Sequence, residues 1–130
     1  MDITLPTDLF IDGAFQRGEG EAERVLNPAT GALLVEVPEA SAEQLHKAVS
    51  AAHRAFDAWR DTTPADRARM LLKLADAIEA KAEQFARLES LNCGKPYARA
   101  LGDEIPAVAD CFRFFAGACR TLTGPLAGEY

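Results

Sequence analysis

Apolar positions along the chain change spacing near residue 40, from short extended runs to helical stripes. Leu9-Phe10-Ile11 is a short apolar run followed by Asp12-Gly13, a pair that suits a tight hairpin turn, and Ala14-Phe15-Gln16 returns. Arg17 to Glu23 is charged, holds Gly18 and Gly20, and reads as a surface loop. Arg24-Val25-Leu26 is strand-like, Asn27-Pro28-Ala29-Thr30-Gly31 is a turn, and Leu33 to Val37 is a second extended run closed by Pro38. These spacings predict a small β unit over residues 8–38, after a loose lead-in at Met1–Pro6.

Three helices follow, over about 42–60, 64–93 and 104–123. Ser41 with Gln44 three residues later is a capping box. Leu45, Val49, Ala52, Phe56 and Trp59 then step by four, three, four and three, which sets them on one helix face. Thr63 caps the second helix, with Pro64 at its first position and Asp66 near the positive end of its dipole. Its stripe is Leu71, Leu74, Ile78, Phe85 and Leu88. It ends at Gly94, a residue suited to the left-handed conformation past a helix, and Pro96 forbids continuation. The third helix opens near Asp103-Glu104-Ile105-Pro106. Ile105, Val108, Phe112, Phe115, Cys119 and Leu122 form its stripe, and Gly124-Pro125 stops it. The expectation is that these three stripes cover one another and the β unit, each bulky side chain contributing roughly 1.5–3 kcal/mol on full burial.

Composition narrows the class. The chain has 130 residues, 48% hydrophobic and 26% charged, which is one domain able to bury a core. Its net charge of -6 does not neutralise phosphates, so no nucleic-acid partner is expected. No apolar run reaches the roughly 20 residues that span a bilayer, and Met1–Pro6 lacks the basic and apolar parts of a signal peptide, so no membrane partner is expected. Cys93, Cys111 and Cys119 are odd in number, lack metal-like spacing, and fit free thiols in a reducing cytosol.

Few residues offer chemistry directly. His46 and His53 lie two turns apart on the first helix and read as a solvated flank rather than a zinc pair. Cys93 sits at a helix C-terminus, where the dipole disfavours a thiolate; Cys111 and Cys119 read as small buried hydrophobes. Asp103 and Glu104 are either a functional carboxylate pair or ordinary acids at a helix start. Phe112 and Phe115 read as core, while Phe114 falls off that stripe. Lys95 has no Walker-type loop around it, and G-x-G-x-x-G, G-x-S-x-G and H-E-x-x-H are all absent.

Several stretches, taken in order, resemble a known family. They are Leu9–Gly13, Asn27-Pro28-Ala29-Thr30-Gly31, Ala48 to Ala52 through Ala55-Phe56 to Trp59, Leu88-Glu89 to Gly94-Lys95-Pro96, and Phe114-Phe115-Ala116-Gly117. That order is similar to the N-terminal part of the NAD(P)-dependent aldehyde dehydrogenase superfamily, and covers almost the whole chain. Leu91 to Pro96, Asp103 to Pro106, Phe112 to Gly117 and Gly128-Glu129-Tyr130 most resemble the gamma-aminobutyraldehyde dehydrogenases, relatives of the betaine aldehyde dehydrogenases.

The resemblance implies an α/β fold: the first portion of a Rossmann-like coenzyme-binding domain, with a small β unit followed by three amphipathic helices. It implies oxidation of an (amino)aldehyde such as 4-aminobutanal to the carboxylate, with NAD as hydride acceptor, in a homo-oligomer. Family members are several times longer. Their catalytic cysteine, general base, oxyanion-hole asparagine and dinucleotide contacts fall beyond the equivalent of Tyr130, so this chain by itself is expected to be inactive and holds no catalytic or cofactor-binding residue. Two carry-overs remain. Val25, Leu26 and Asn92 match a structural potassium or sodium site, although Asn92 stands where an aspartate is common. Glu104 matches an acid that holds the substrate ammonium, with Ala107 where a second acid would stand. The rival reading is a free-standing helical interaction module, or a remnant that pairs with a full-length homologue.

Overall fold

The structure, a computed structural model, describes residues 5–122. The chain divides into two compact units. One holds the described residues up to Arg60 together with Leu91–Gly94; the other holds Asp61–Ser90 and the described residues from Lys95 on.

In the first unit, β1 (Leu9–Ile11) and β2 (Ala14–Gln16) pair antiparallel with Phe10 opposite Phe15. Both turn residues have positive φ, Asp12 at 53° and Gly13 at 79°, as a type I′ turn requires. Arg54 holds the turn through Asp12 Oδ2 at 2.9 Å. A second antiparallel pair, β3 (Ala22–Leu26) with β4 (Leu33–Pro38), has a bulge after Val25 that leaves Leu34 as the extra residue. The intervening turn is held by Asn27, whose Oδ1 accepts from the Ala29 amide and whose carbonyl accepts from the Gly31 amide.

Helix α1 (Ala42–Arg60) starts at the predicted capping box: the Gln44 amide donates to Ser41 Oγ, and Gln44 Oε1 accepts from the Ser41 amide. The same side chain reaches further. Gln44 Oε1 also accepts from the Glu19 amide at 3.0 Å, and Nε2 donates to the Arg17 carbonyl at 2.9 Å. Gln44 is 1% exposed and is the largest fully buried side chain of the described residues. Between its partners lies Gly18, itself buried, where an added Cβ would overlap the Pro38 carbonyl oxygen. The segment from Arg17 is therefore not the free surface loop expected from its charges. It is tied down by the Gln44 side chain and by backbone bonds of Gly20 and Glu21 to Glu39, and β3 begins inside it at Ala22.

In the second unit, Thr63 caps α2 (Pro64–Glu79) through the Asp66 amide. The single helix expected over 64–93 is two helices. α2 ends at Glu79 and α3 (Ala82–Cys93) restarts after Ala80-Lys81, where the Lys81 amide bonds three residues back to Ile78 instead of four. No glycine or proline marks this break, so nothing in the residue types announces it. After Gly94 come α4 (Tyr97–Arg99), a π-helical turn at Ala100–Glu104, and α5 (Ile105–Ala118). The third helix expected over 104–123 thus begins through a π turn and ends by Ala118, and the expected stop at Gly124-Pro125 lies outside the described residues.

α2 packs on α5, and each buries alanines seven residues apart: Ala68 and Ala75, Ala109 and Ala116. Arg113 of α5 forks onto α2, with its two Nη atoms 2.7 and 2.6 Å from the Glu79 oxygens and Nη2 2.9 Å from Asp76 Oδ1. This guanidinium holds the Glu79 carboxyl below its ordinary value.

The expected covering of bulky stripes does not occur. Among the described residues the buried hydrophobic ones are all alanines, with Ala51, Ala86 and Ala100 joining those on α2 and α5. Leu45, Val49, Phe56, Trp59, Leu74, Phe85, Val108, Phe115 and Leu122 are exposed, while Leu71, Ile78, Leu88, Ile105, Phe112 and Cys119 are half-buried. Close approach favours the face with the smallest side chains, because backbones can then come together without a gap.

Replacing Gln44 by alanine leaves the Glu19 amide and the Arg17 carbonyl without their partner. Urea unfolding should show a loss of about 1–3 kcal/mol, the cost of orphaning buried polar groups. Arg113→Gln should lower the urea midpoint at neutral pH. Because Glu79 is depressed, that contribution exists above its unfolded value and is lost as pH falls through the folded one. The gap between wild type and Arg113→Gln should therefore close below about pH 4, and a gap that persists in acid would show that Arg113 acts by packing alone.

Candidate functional site

Val25, Leu26 and Asn92 belong to the first unit, and Glu104 to the second. Gly94 takes φ 73°, and an added Cβ there would come 3.0 Å from Pro28 Cγ. This contact sets the end of α3 against the Asn27–Gly31 turn, which directly follows Val25 and Leu26. Val25 is half-buried and Leu26 exposed at the bulged end of β3. Asn92 is exposed, and its Nδ2 points at Cys93 Sγ, 3.8 Å away. Among the described residues no group of three or more His, Cys, Asp and Glu comes together. Backbone carbonyls and an amide oxygen, the donors that Val25, Leu26 and Asn92 offer, are hard ligands of the kind that suits an alkali cation rather than zinc.

Glu104 lies at the end of the π turn. Its Oε2 sits 2.5 Å from Lys95 Nζ, which also reaches Glu89 Oε1 at 3.3 Å. Glu104 above all, then Glu89, hold the Lys95 ammonium above its ordinary value. Two carboxylates on one ammonium leave the cluster with one negative charge in excess. Asp103 turns elsewhere, to Arg99 at 2.8 Å, so Asp103 and Glu104 are not a working carboxylate pair. Ala107 is exposed in the first turn of α5. The Lys95 cluster escaped the sequence because its partners lie six residues back and nine ahead, and neither separation is a helical neighbour distance.

The remaining candidates stay apart from this cluster in chemistry. His46 and His53 are exposed on α1. His46 lines an open depression of about 440 Å3 with Asp12, Glu43, Lys47 and Arg54. Its cations are already matched, Lys47 by Glu43 and Arg54 by Asp12. Cys111 is exposed rather than buried as expected, Cys93 is exposed, and Cys119 is half-buried. Phe114 and Phe115 meet edge to face at 5.3 Å with both rings largely exposed, so Phe115 is not the core residue its stripe suggested.

The profile of the aldehyde dehydrogenase family matches residues 15–128. The chain is 44% identical over 121 residues to an aldehyde dehydrogenase of Aspergillus niger, covering 92% of this chain and 24% of that protein. Its fold superposes on PnpE in complex with nicotinamide adenine dinucleotide with a TM-score of 0.88 and 39% identity, over 97% of this chain and 26% of PnpE. It also superposes on gamma-glutamyl-gamma-aminobutyraldehyde dehydrogenase from Burkholderia cenocepacia J2315 with a TM-score of 0.83 and 31% identity, over 93% and 25% of the two chains. The chain thus spans about a quarter of the length of these relatives. A match over nearly all of its length, and strands followed by helices that superpose on these enzymes, establish that the chain belongs to the aldehyde dehydrogenase family.

Proposed function

We propose that this chain is the N-terminal segment of an NAD-dependent aldehyde dehydrogenase that oxidises an aminoaldehyde, such as 4-aminobutanal, to the carboxylate. The observation that carries the oxidoreductase reading is the family match over residues 15–128, in a chain that spans about a quarter of its relatives. The redox chemistry then belongs to the other three quarters. NAD, when bound, supplies the hydride acceptor. This chain's residues are a poor fit for the dinucleotide. The depression beside His46 has both of its cations paired, which leaves no free positive charge for a pyrophosphate, and no glycine-rich cradle exists in the sequence. The contacts to NAD are accordingly assigned outside this chain, and the chain alone is expected to be inactive.

Glu104 is the residue we assign to the substrate amine. Its cluster with Lys95 and Glu89 holds an excess negative charge, and Glu104 Oε1 has no protein partner among the described residues, so an oxygen is open to a cationic end group. Val25 and Leu26, through their carbonyls, and Asn92, through its amide oxygen, are assigned to a structural potassium or sodium ion. A cytoplasmic homo-oligomer completes the reading; no helix of the described residues is long and apolar enough to cross a membrane.

The first test is the intact mass of the protein captured from its source cell with an antibody to residues 1–130. A polypeptide roughly four times longer than this chain should be recovered, and it should form NADH with 4-aminobutanal. Recovery of the 14.0 kDa chain alone would sink the reading. In the long polypeptide, Glu104→Gln should raise KM for 4-aminobutanal by roughly three- to tenfold, the effect of one lost charge-assisted hydrogen bond, with butanal unaffected. Equal effects on both aldehydes would assign Glu104 a structural role only.

A further inference from the structure

The turn that closes β1 and β2 carries a chemistry of its own. Asp12 is followed by Gly13, whose missing side chain leaves the peptide nitrogen between them open to approach. An added Cβ on Gly13 would meet nothing within 4 Å, and the Asp12 side chain is 68% exposed. Both residues sit at positive φ, 53° and 79°, the type I′ geometry that keeps Phe10 opposite Phe15. Strands of three residues hold such a hairpin weakly, and a two-stranded ribbon is marginal by itself. Open depressions of about 440 and 330 Å3 lie against the hairpin where it meets α1, each lined by Ile11 and Asp12. Arg54 Nη2 reaches from α1 to Asp12 Oδ2, at 2.9 Å.

We propose that Asp12-Gly13 is a modification site at which the aspartyl peptide bond isomerises to its β-linked form, and that Arg54 guards it. The Gly13 amide nitrogen bonds to Asp12 Cγ; the amide proton and the carboxyl hydroxyl leave as water, and a five-membered succinimide results. Water then opens the ring. Attack on the side-chain carbonyl restores the aspartyl linkage, whereas attack on the main-chain carbonyl leaves the chain running through Cγ. Nothing is oxidised or reduced, and the mass returns to its starting value. The β-linked product has one extra atom in its main chain, and its free carboxylate sits directly on Cα. A two-residue turn has no slack for that atom, so the register of β1 on β2 is lost, and with it the bond to Arg54. The ring fixes the Asp12 peptide group in an orientation that a type I′ turn does not supply. Closure therefore proceeds from a locally opened hairpin. Arg54, 42 residues away in sequence, holds the carboxylate toward α1 and lowers the opened fraction.

The test uses the protein purified from its source cell, at whatever length it is made, warmed at neutral pH and digested with trypsin. The peptide ending at Arg17 contains both Asp8 and Asp12. A form of equal mass and different elution, which a protease specific for aspartyl bonds no longer cuts at Asp12, should accumulate. Asp8, which precedes Leu9, should stay aspartyl. Arg54→Gln should raise the initial rate roughly two- to fivefold, the range that an exposed ion pair carries. Urea should raise the wild-type rate further. Lys47→Gln, which breaks the Glu43 pair in the same depression, should leave the rate unchanged. The site is overturned if the folded protein keeps Asp12 intact or if Asp8 isomerises as fast. The guard is overturned if Arg54→Gln reacts as the wild type does, or if Lys47→Gln accelerates equally. Arg54→Lys keeps the cation and separates guarding from a general loss of fold: it should react at the wild-type rate, and a rate equal to that of Arg54→Gln would also overturn the guard. The readout is a modification, so these outcomes stand whether or not the protein oxidises aldehydes.

Discussion

The first unit depends on one buried amide. Gln44 satisfies its own helix start and, with the same two polar atoms, ties down the carbonyl of Arg17 and the amide of Glu19. These groups lie on either side of Gly18, whose backbone passes so close to Pro38 that no side chain fits. A buried backbone group must find a partner or cost free energy. Gln44 meets that requirement for a segment that lies just ahead of β3, and so positions β3 and β4 relative to α1. The hairpin of β1 and β2 is tied to the same helix one further way, by Arg54 on Asp12.

Small side chains decide how the helices of the second unit meet. Ala68 and Ala75 of α2, with Ala109 and Ala116 of α5, let two backbones approach closely. Arg113 then locks the pair with a planar fork that matches the Glu79 carboxylate. Such packing buries little apolar area per residue, and it turns the larger side chains outward. A domain this short buries a smaller fraction of its surface than a long one. The family relation explains why such an arrangement is tolerable: the relatives carry about three further quarters of polypeptide, and surface that is external to this chain need not be external to them.

Charge is organised locally. The acids and bases around the π turn form two local sets: Lys95 with Glu89 and Glu104, Arg99 with Asp103. Exposed pairs of this kind add little stability singly. Their consequence is orientation. They hold the π turn at Ala100–Glu104 and direct Asp103 and Glu104 to different cations, although the two are adjacent in the chain.

Wherever a feature is decided by neighbours a few residues apart, the sequence by itself determined it. The Asp12-Gly13 turn, the Ser41–Gln44 box, the Thr63 cap and the left-handed Gly94 are each local matches of side chain to backbone geometry. Family membership was legible for a related reason: Leu9–Gly13, Asn27–Gly31, Ala48 to Trp59, Leu88 to Pro96 and Phe114 to Gly117 stand in an order that resembles the family, whose profile matches residues 15–128. Tertiary structure alone decided which helix face is packed. Periodicity reports that a stripe is apolar but not whether a partner lies against it, so Leu45, Val49, Phe56 and Trp59, and Val108, Phe115 and Leu122, read as core and are exposed. The break at Ala80-Lys81 and the reach of Lys95 to Glu89 and Glu104 were likewise invisible. The first lacks any breaking residue, and the second joins positions that only the chain reversal after Gly94 and the π turn bring within hydrogen-bonding distance.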